Sequence, residues 1–167
     1  MKQTITKLYQ YNYWANHLIL EKTAQVTAAQ LAAPGNFSSA GSLRSVLVHT
    51  LSAEWVWRSR CQLGFSPSAM LQEANFPTLA LITARWQEEE NAMLAYIESL
   101  TDNDLNQTIA YTNTSGTKSF ETQLNDILLH LVLHGMQHRS EMAAMLTSYR
   151  QSPGDIDFIA FLRRTSS

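Results

Sequence analysis

The chain has one cysteine, Cys61, among 167 residues, so it can close no disulfide within itself and can build no cysteine-rich zinc site. Neither sign of charge is in large excess, because the chain has 14 acidic residues and 12 Lys and Arg residues, for a net charge of −2. The chain therefore lacks the excess of basic residues that would neutralise a phosphate backbone. We expect no nucleic-acid partner.

Long apolar runs are missing too. No stretch approaches 18 consecutive apolar residues, so we expect no membrane span. The opening MKQTITKLYQ has neither the apolar core nor the cleavage site of a secretory signal. Apolar residues nevertheless make up 45% of the chain, with four Trp, six Tyr and six Phe, which is enough to build a core. These features predict a cytoplasmic protein in which residues 1–167 form a single domain.

Glycine and proline are sparse, with six and four residues, and they separate stretches whose apolar residues recur at helical spacing. Residues 107–120, rich in Thr and aromatics around an NTSG turn, interrupt this pattern and predict two short strands. The sequence thus indicates an all-α four-helix bundle with a short β-hairpin before the last long helix. The predicted helices cover 2–25, 43–61, 78–100 and 122–149, followed by a short one over 155–162.

Histidine is concentrated in residues 130–139, HLVLHGMQHR, which hold three of the five in the chain. At about 100° per residue, His138 lies near the middle of the apolar stripe of the last long helix and His134 at its flank. His130 lies further round, among polar residues. Residues four apart can share an ion, whereas residues eight apart are separated by about 12 Å of helix axis. At most one neighbouring pair can therefore bind one ion, and the helical wheel favours His134 with His138.

Two ligands need a third from another element. His49 is the natural candidate, because it follows the inward-facing spacing of the second predicted helix, and His17 on the first is the fallback. The alternative is that these histidines only form hydrogen bonds where helices pack together. Three imidazoles buried without an ion would leave several polar nitrogens in need of partners. The spacing alone leaves both interpretations open.

Three stretches follow one another along the chain: LYQYNYWANHLIL at 8–20, LRSVLVHTLSAEWVWRSR at 43–60 and LNDILLHLVLHGMQHRSEMAAML at 124–146. Together they resemble the DinB/YfiT-like family of small bacterial four-helix proteins, which is unrelated to the DNA polymerase that shares the name. The first is similar to the family's Tyr-Asn-x-Trp-Ala-Asn opening, the second to its Leu-x-His-x4-Glu-x-x-Trp helix, and the third to its Leu-x-His-x3-His-Gly-x-x-His-Arg helix. One departure is Ser140-Glu141, where the family usually has Gly-Gln, and we expect little effect on the ligands.

The resemblance implies an up-down-down-up bundle with one divalent metal ion on His49, His134 and His138, while His130 matches a family histidine that is not usually a ligand. Three imidazoles with open positions suit zinc, nickel or ferrous iron. Some members resemble S-transferases that use bacillithiol, mycothiol or glutathione, and others are described as metal-dependent hydrolases. The resemblance therefore also implies a small-molecule substrate, a low-molecular-weight thiol as a second cofactor, and a homodimer.

Two hypotheses about function follow. The first is a divalent-metal-dependent enzyme, either a thiol S-transferase or a hydrolase. The second is a non-catalytic, metal-binding helical dimer module, which would melt at a metal-dependent temperature and turn over nothing. Among the other polar residues, the sequence predicts that Glu54 links helices, that Asn12 and Asn16 form hydrogen bonds to a ligand or a neighbouring helix, and that Arg139 forms a salt bridge.

Overall fold

The structure, a computed structural model, describes residues 1–35 and 41–165. Within these ranges lie six α-helices, two 3-10 turns and one two-stranded antiparallel sheet, so the predicted all-α class with a hairpin is confirmed. That residues 1–167 form a single domain stays a prediction, because seven of them lie outside the described ranges. The elements are α1 (Lys2–Thr23), α2 (Ala28–Ala32), α3 (Leu43–Leu63), α4 (Leu79–Ser99), β1 (Thr108–Thr112), β2 (Ser119–Gln123), α5 (Leu124–Ser148) and α6 (Phe158–Thr165).

Side chains at the helix ends explain where the helices begin and stop. The Ser42 hydroxyl accepts a hydrogen bond from the Ser45 amide at 3.1 Å and so caps α3, which ends at Gly64 in the left-handed conformation, at φ 63°. The last long helix was predicted to begin at residue 122, and this boundary is wrong. Residues 122 and 123 belong to β2, which pairs with β1. The sequence analysis also missed α2, although Thr27 and Gln30 form its capping box.

The four long helices form a ring in the order α1, α5, α3, α4. Lys2 at the start of α1 donates a hydrogen bond to the Glu98 carbonyl near the end of α4, so α1 and α4 are antiparallel. The rings of His49 and Trp57 in α3 contact those of His138 and His130 in α5, so these two helices are antiparallel as well. Tyr9 and Asn16 on α1 contact Leu128 and Arg139 on α5 in the same order along both helices, so α1 and α5 are parallel. The three relations together confirm the up-down-down-up topology implied by the resemblance.

The parallel pair α3 and α4 requires a long connection. α3 has 21 residues and is about 32 Å long at about 1.5 Å per residue. Extended chain advances by about 3.3 Å per residue, so the connection over 64–78 can return along the whole helix. The connection is also anchored to α3, since the Leu71 amide donates a hydrogen bond of 2.7 Å to the Ser52 hydroxyl.

The interior has two large apolar clusters with a polar layer between them, and a third, smaller cluster lies between α1 and α6. One of the large clusters packs around Tyr9, Met93 and Leu128, and the other around Leu47 and Met142. Between them along each helix lie buried polar side chains that belong to neither cluster. These are Asn12 and Asn16 on α1, Glu54 on α3, Glu89 on α4 and Arg139 on α5, and we refer to them as the polar layer.

The hairpin packs beside the groove between α3 and α5. In its register Tyr111 pairs with Phe120, and their rings stack at a centroid distance of 5.6 Å. The guanidinium of Arg60 on α3 lies over the ring of Tyr111 and donates a hydrogen bond of 2.8 Å to the Thr112 carbonyl. This buried side chain thus attaches the hairpin to α3 by two kinds of contact. None of the helices in the described ranges combines the length and apolarity needed to cross a membrane.

Candidate metal centre

Three imidazoles meet between α3 and α5. His134 and His138 lie one turn apart on α5, with their Nε2 atoms 3.1 Å from each other, and His49 faces them from α3. One donor atom from each of the three residues lies within 4.8 Å of the other two. His138 is buried, whereas His49 and His134 are partly exposed. The structure therefore brings together the three residues that the sequence analysis selected, and two of them are partly exposed to solvent.

The donor set fits a divalent transition metal ion. With metal–nitrogen bonds of about 2.0–2.1 Å, two nitrogens of a tetrahedral site are about 3.3–3.4 Å apart. The separation of 3.1 Å between the His134 and His138 Nε2 atoms is close to this value. Imidazole suits zinc, nickel and iron, and three such ligands leave coordination positions for a small molecule. His49, His134 and His138 are the residues that would hold the ion.

Burial keeps two of the three imidazoles neutral. Desolvation and the neighbouring imidazoles, that of His138 first, lower the pKa of His134 to about 4. Desolvation and then His138 also lower the pKa of His49. A metal ligand must be the neutral imidazole, so at neutral pH neither side chain has to release a proton before it binds an ion.

Glu141 contacts the triad directly. Its Oε2 lies 2.9 Å from Nδ1 of His138, three residues earlier on the same helix. The sequence analysis expected little effect from Glu141 and did not place it at the site. The spacing of three residues on one helical face was the available signal, although spacing alone does not distinguish a contact from a solvent-exposed carboxylate.

The two other histidines lie outside the triad. His130 is exposed, and its ring lies 5.7 Å from the rings of both His134 and Trp57. His17, the fallback ligand, pairs with Glu90 on α4 at 2.7 Å. Trp57 in turn contacts Tyr111 of the hairpin at 4.8 Å. A row of rings thus extends from the triad to the hairpin, and the sequence analysis did not place Trp57 or Tyr111 at the site.

The sequence analysis predicted a salt bridge for Arg139, and this prediction is wrong. Among the residues that the structure describes, no carboxylate lies within ion-pair distance of the Arg139 guanidinium. The side chain is almost completely buried, and Nη1 donates hydrogen bonds to the side-chain oxygens of Asn12 and Asn16, the latter at 2.9 Å. Asn12 and Asn16 therefore link α1 to α5, which confirms one of their two predicted roles. Gly135 leaves room for this contact, since a Cβ there would lie 2.9 Å from Asn12 Oδ1.

Glu54 and Cys61 also lie inside the bundle. The Tyr13 hydroxyl donates a hydrogen bond to the Glu54 carboxyl across the bundle, which confirms that Glu54 links helices. Burial raises the pKa of Glu54 to about 7 and that of the Cys61 thiol to about 12. Cys61 is therefore a thiol at neutral pH and a poor nucleophile.

With the fold and the triad in place, comparisons with known proteins identify the family. The family model described as the DinB family matches residues 1–165. The chain belongs to the DinB family. No curated protein matches this DinB protein. Among solved structures, it is similar to YfiT from Bacillus subtilis, described as a probable metal-dependent hydrolase with an unusual four-helix bundle topology, at a TM-score of 0.65 and 17% identity, covering 87% of each chain. At this identity the similarity establishes the fold.

Proposed function

We propose that this DinB protein is a divalent-metal-dependent enzyme whose ion, zinc, nickel or ferrous iron, is held by His49, His134 and His138. The convergence of three imidazoles from two helices on one point, with donor atoms within 4.8 Å, is the observation that supports this proposal. Such a set has fewer ligands than a closed structural site, which is usually four-coordinate. A non-catalytic module would have no need of an open position.

The side chains around the triad have separate roles in this proposal. The buried His138 fixes one ligand inside the bundle, while the partly exposed His49 and His134 form the side from which a small molecule enters. The chemistry that the ion supplies when bound is a lowered pKa for a water or thiol ligand, which gives a nucleophile near neutral pH. Trp57 and Tyr111, in ring contact at 4.8 Å, provide an apolar wall for the rest of the substrate.

Two reactions are compatible with this arrangement, hydrolysis with water as the nucleophile and S-transfer with a low-molecular-weight thiol. Hydrolysis is supported by the description of YfiT, and S-transfer by the family resemblance. Cys61 cannot replace an external thiol, because burial raises its pKa to about 12. A thiol-dependent reaction would therefore need a thiol cofactor. We also propose a cytoplasmic location, which agrees with the presence of Cys61 as a free thiol.

Metal binding is tested first, by elemental analysis of protein purified from medium that contains zinc, nickel and iron. We expect about one ion per chain, and loss of this ion in His49→Ala, His134→Ala and His138→Ala. His130→Ala is the matched control, since it removes an exposed imidazole one turn from His134 and should leave the ion in place. Wild-type protein that contains no ion, and takes up none of the three metals on addition, would contradict the proposal.

The reaction is then tested on the loaded protein with a panel of esters and amides, and with bacillithiol, mycothiol or glutathione plus an electrophile. Turnover without a thiol supports hydrolysis, and turnover that requires one supports S-transfer. Either activity should disappear in His138→Ala and persist in His130→Ala. An ion that raises the melting temperature without turnover in any panel would favour the non-catalytic module instead.

A further inference from the structure

We propose that Glu141 is a positioning residue that fixes the tautomer of His138, so that the lone pair of Nε2 faces His49 and His134. The inference deepens the proposed metal site and rests on it for its consequence, although the tautomer itself can be measured without metal. The supporting observations are the burial of the two side chains, the distance between them and the position of the opposite ring nitrogen.

The contact is short and protected from water. Oε2 of Glu141 lies 2.9 Å from Nδ1 of His138, and the two side chains are only 17% and 6% exposed. Both residues lie on α5 three positions apart, so the helix itself holds them on one face. Their separation therefore does not depend on the packing of another element.

The chemistry of the two groups determines where the imidazole proton lies. A carboxylate only accepts hydrogen bonds, so the ring nitrogen that faces Glu141 has to be the one that carries hydrogen. In the neutral ring the hydrogen is then on Nδ1 and the lone pair on Nε2. Nε2 is the atom that lies 3.1 Å from His134 Nε2, so the lone pair is directed into the triad.

Without this acceptor the ring has two neutral tautomers, and one of them places N–H where an ion would bind. A carboxylate hydrogen-bonded to a ligating histidine also makes the ligand more basic, and loss of such a partner typically weakens metal binding about 10–100-fold. Glu141 would thus act on the ion through His138 without touching it. The Arg139 side chain, next to His138 in the sequence, cannot take this role, since it contacts Asn12 and Asn16 instead.

The first test is NMR of the metal-free protein, with long-range proton–nitrogen correlations of the histidine rings. We expect the Nδ1–H tautomer for His138 in wild type, and a mixture or the Nε2–H tautomer in Glu141→Ala. Glu88→Ala is the control, because the Glu88 side chain is 71% exposed on α4. A His138 ring that stays entirely Nδ1–H in Glu141→Ala would overturn the proposal.

The second test is Zn2+ affinity, measured by competition with a chelator. We expect a Kd about 10–100-fold higher in Glu141→Ala and about tenfold higher in Glu141→Gln, which keeps the size of the side chain. Glu88→Gln should bind as wild type does, and melting curves exclude misfolding. Affinities within twofold of wild type in both Glu141 variants would overturn the proposal. If wild type itself bound none of Zn2+, Ni2+ and Fe2+, the metal site would fail, and the NMR result would still decide the role of Glu141.

Discussion

At the scale of single residues, the least usual group in the bundle is the Glu54 carboxyl, which is buried in the polar layer and receives a hydrogen bond from Tyr13. Desolvation is the main reason why its pKa rises from an ordinary value of 4.5 to about 7. The folded protein therefore retains a proton on Glu54 over a pH range in which the unfolded chain has already lost it. Folding and proton binding are thus coupled at this residue.

The sign of this coupling predicts a loss of stability as the pH rises. Between pH 4.5 and pH 7 the folded state binds more protons at Glu54 than the unfolded state, so the contribution of Glu54 to the free energy of unfolding falls across that range. Glu54→Gln keeps an acceptor for Tyr13 and has no charge to bury. We expect the variant to be more stable than wild type at pH 8, by up to about 3 kcal/mol at about 1.36 kcal/mol per pKa unit.

Urea denaturation of both proteins from pH 4.5 to pH 8, with a chelator present, measures this difference. The stability of wild type relative to Glu54→Gln should decline with pH and then level off above pH 7. Comparing the two proteins cancels the contribution of His134, which has the opposite slope because its folded pKa is lowered. A difference that is constant with pH would show that Glu54 has the same pKa in the folded and the unfolded state.

The residues of the triad could be selected before the structure, because helix pitch and the reach of an imidazole leave few combinations. The pair of His134 and His138 was predicted from their spacing of four residues. His49 was predicted from its inward position on another helix. Glu141 and the partners of Arg139 could not be predicted in this way. Their roles depend on side-chain rotamers and on which helix lies opposite, and neither is encoded in the spacing within one helix.

At the scale of elements, the contact between α5 and α1 depends on a residue without a side chain. A Cβ at Gly135 would lie 2.9 Å from Asn12 Oδ1 and 3.0 Å from Arg139 Nη1. These two atoms are hydrogen-bonded to each other and buried, so neither side chain can move away freely. Gly135 thus sets how closely the two helices approach.

Gly135→Ala tests this close contact, because the contact reverses the sign of the expected change in the free energy of unfolding. In an exposed helix the change from Gly to Ala is stabilising by about 0.5–1 kcal/mol. Here the methyl group should separate the helices and destabilise the protein by about 1–3 kcal/mol, as overpacking typically does. Chemical denaturation measures the change, and Ser140→Ala on the exposed side of α5 is the control, with an expected effect of less than about 0.5 kcal/mol. A gain of stability in Gly135→Ala would contradict the close contact.

Most element boundaries were predictable, because sparse glycines and proline residues separate long periodic stretches. The start of α5 was not, since residues 122 and 123 fit a helical pattern as well as a strand, and their pairing with β1 decides the outcome. The short α2 was overlooked between two longer patterns, even though the capping box at Thr27 and Gln30 is visible in the sequence. The sequence patterns of both regions were compatible with more than one local structure, and tertiary contacts determined which one formed.

At the scale of the whole molecule, the two ligands on α5 lie at the level of the polar layer, between the two large apolar clusters. His134 and His138 flank Gly135 on α5, and Arg139 follows directly. The hydrogen bonds of the polar layer thus hold α1 against α5 at the level where α5 presents its two ligands. The up-down-down-up topology was implied by the family resemblance. Periodicity alone could give neither this topology nor the order of the helices around the ring, because an amphipathic helix does not specify which neighbour it packs against.

We propose that two copies of the chain associate through the outer face of α5. Leu133 and Met136, three residues apart, are 59% and 47% exposed, and exposed apolar patches commonly mark protein interfaces. Light scattering should give twice the chain mass of 18.8 kDa for wild type and a single chain mass for the double variant Leu133→Glu, Met136→Glu. Leu81→Glu, at a similarly exposed position on α4, is the control. A wild-type monomer at tens of micromolar would contradict this proposal.

The position of α5 between α1 and α3 has a consequence for synthesis on the ribosome. Translation delivers α1, α3 and α4 first, yet α1 meets α3 mainly through the helix that is made after all of them. Until α5 has left the exit tunnel, the apolar faces of the other three helices have no partner in that gap, and only one of the three imidazoles is available. An ion could therefore bind this site only after His134 and His138 had emerged from the ribosome.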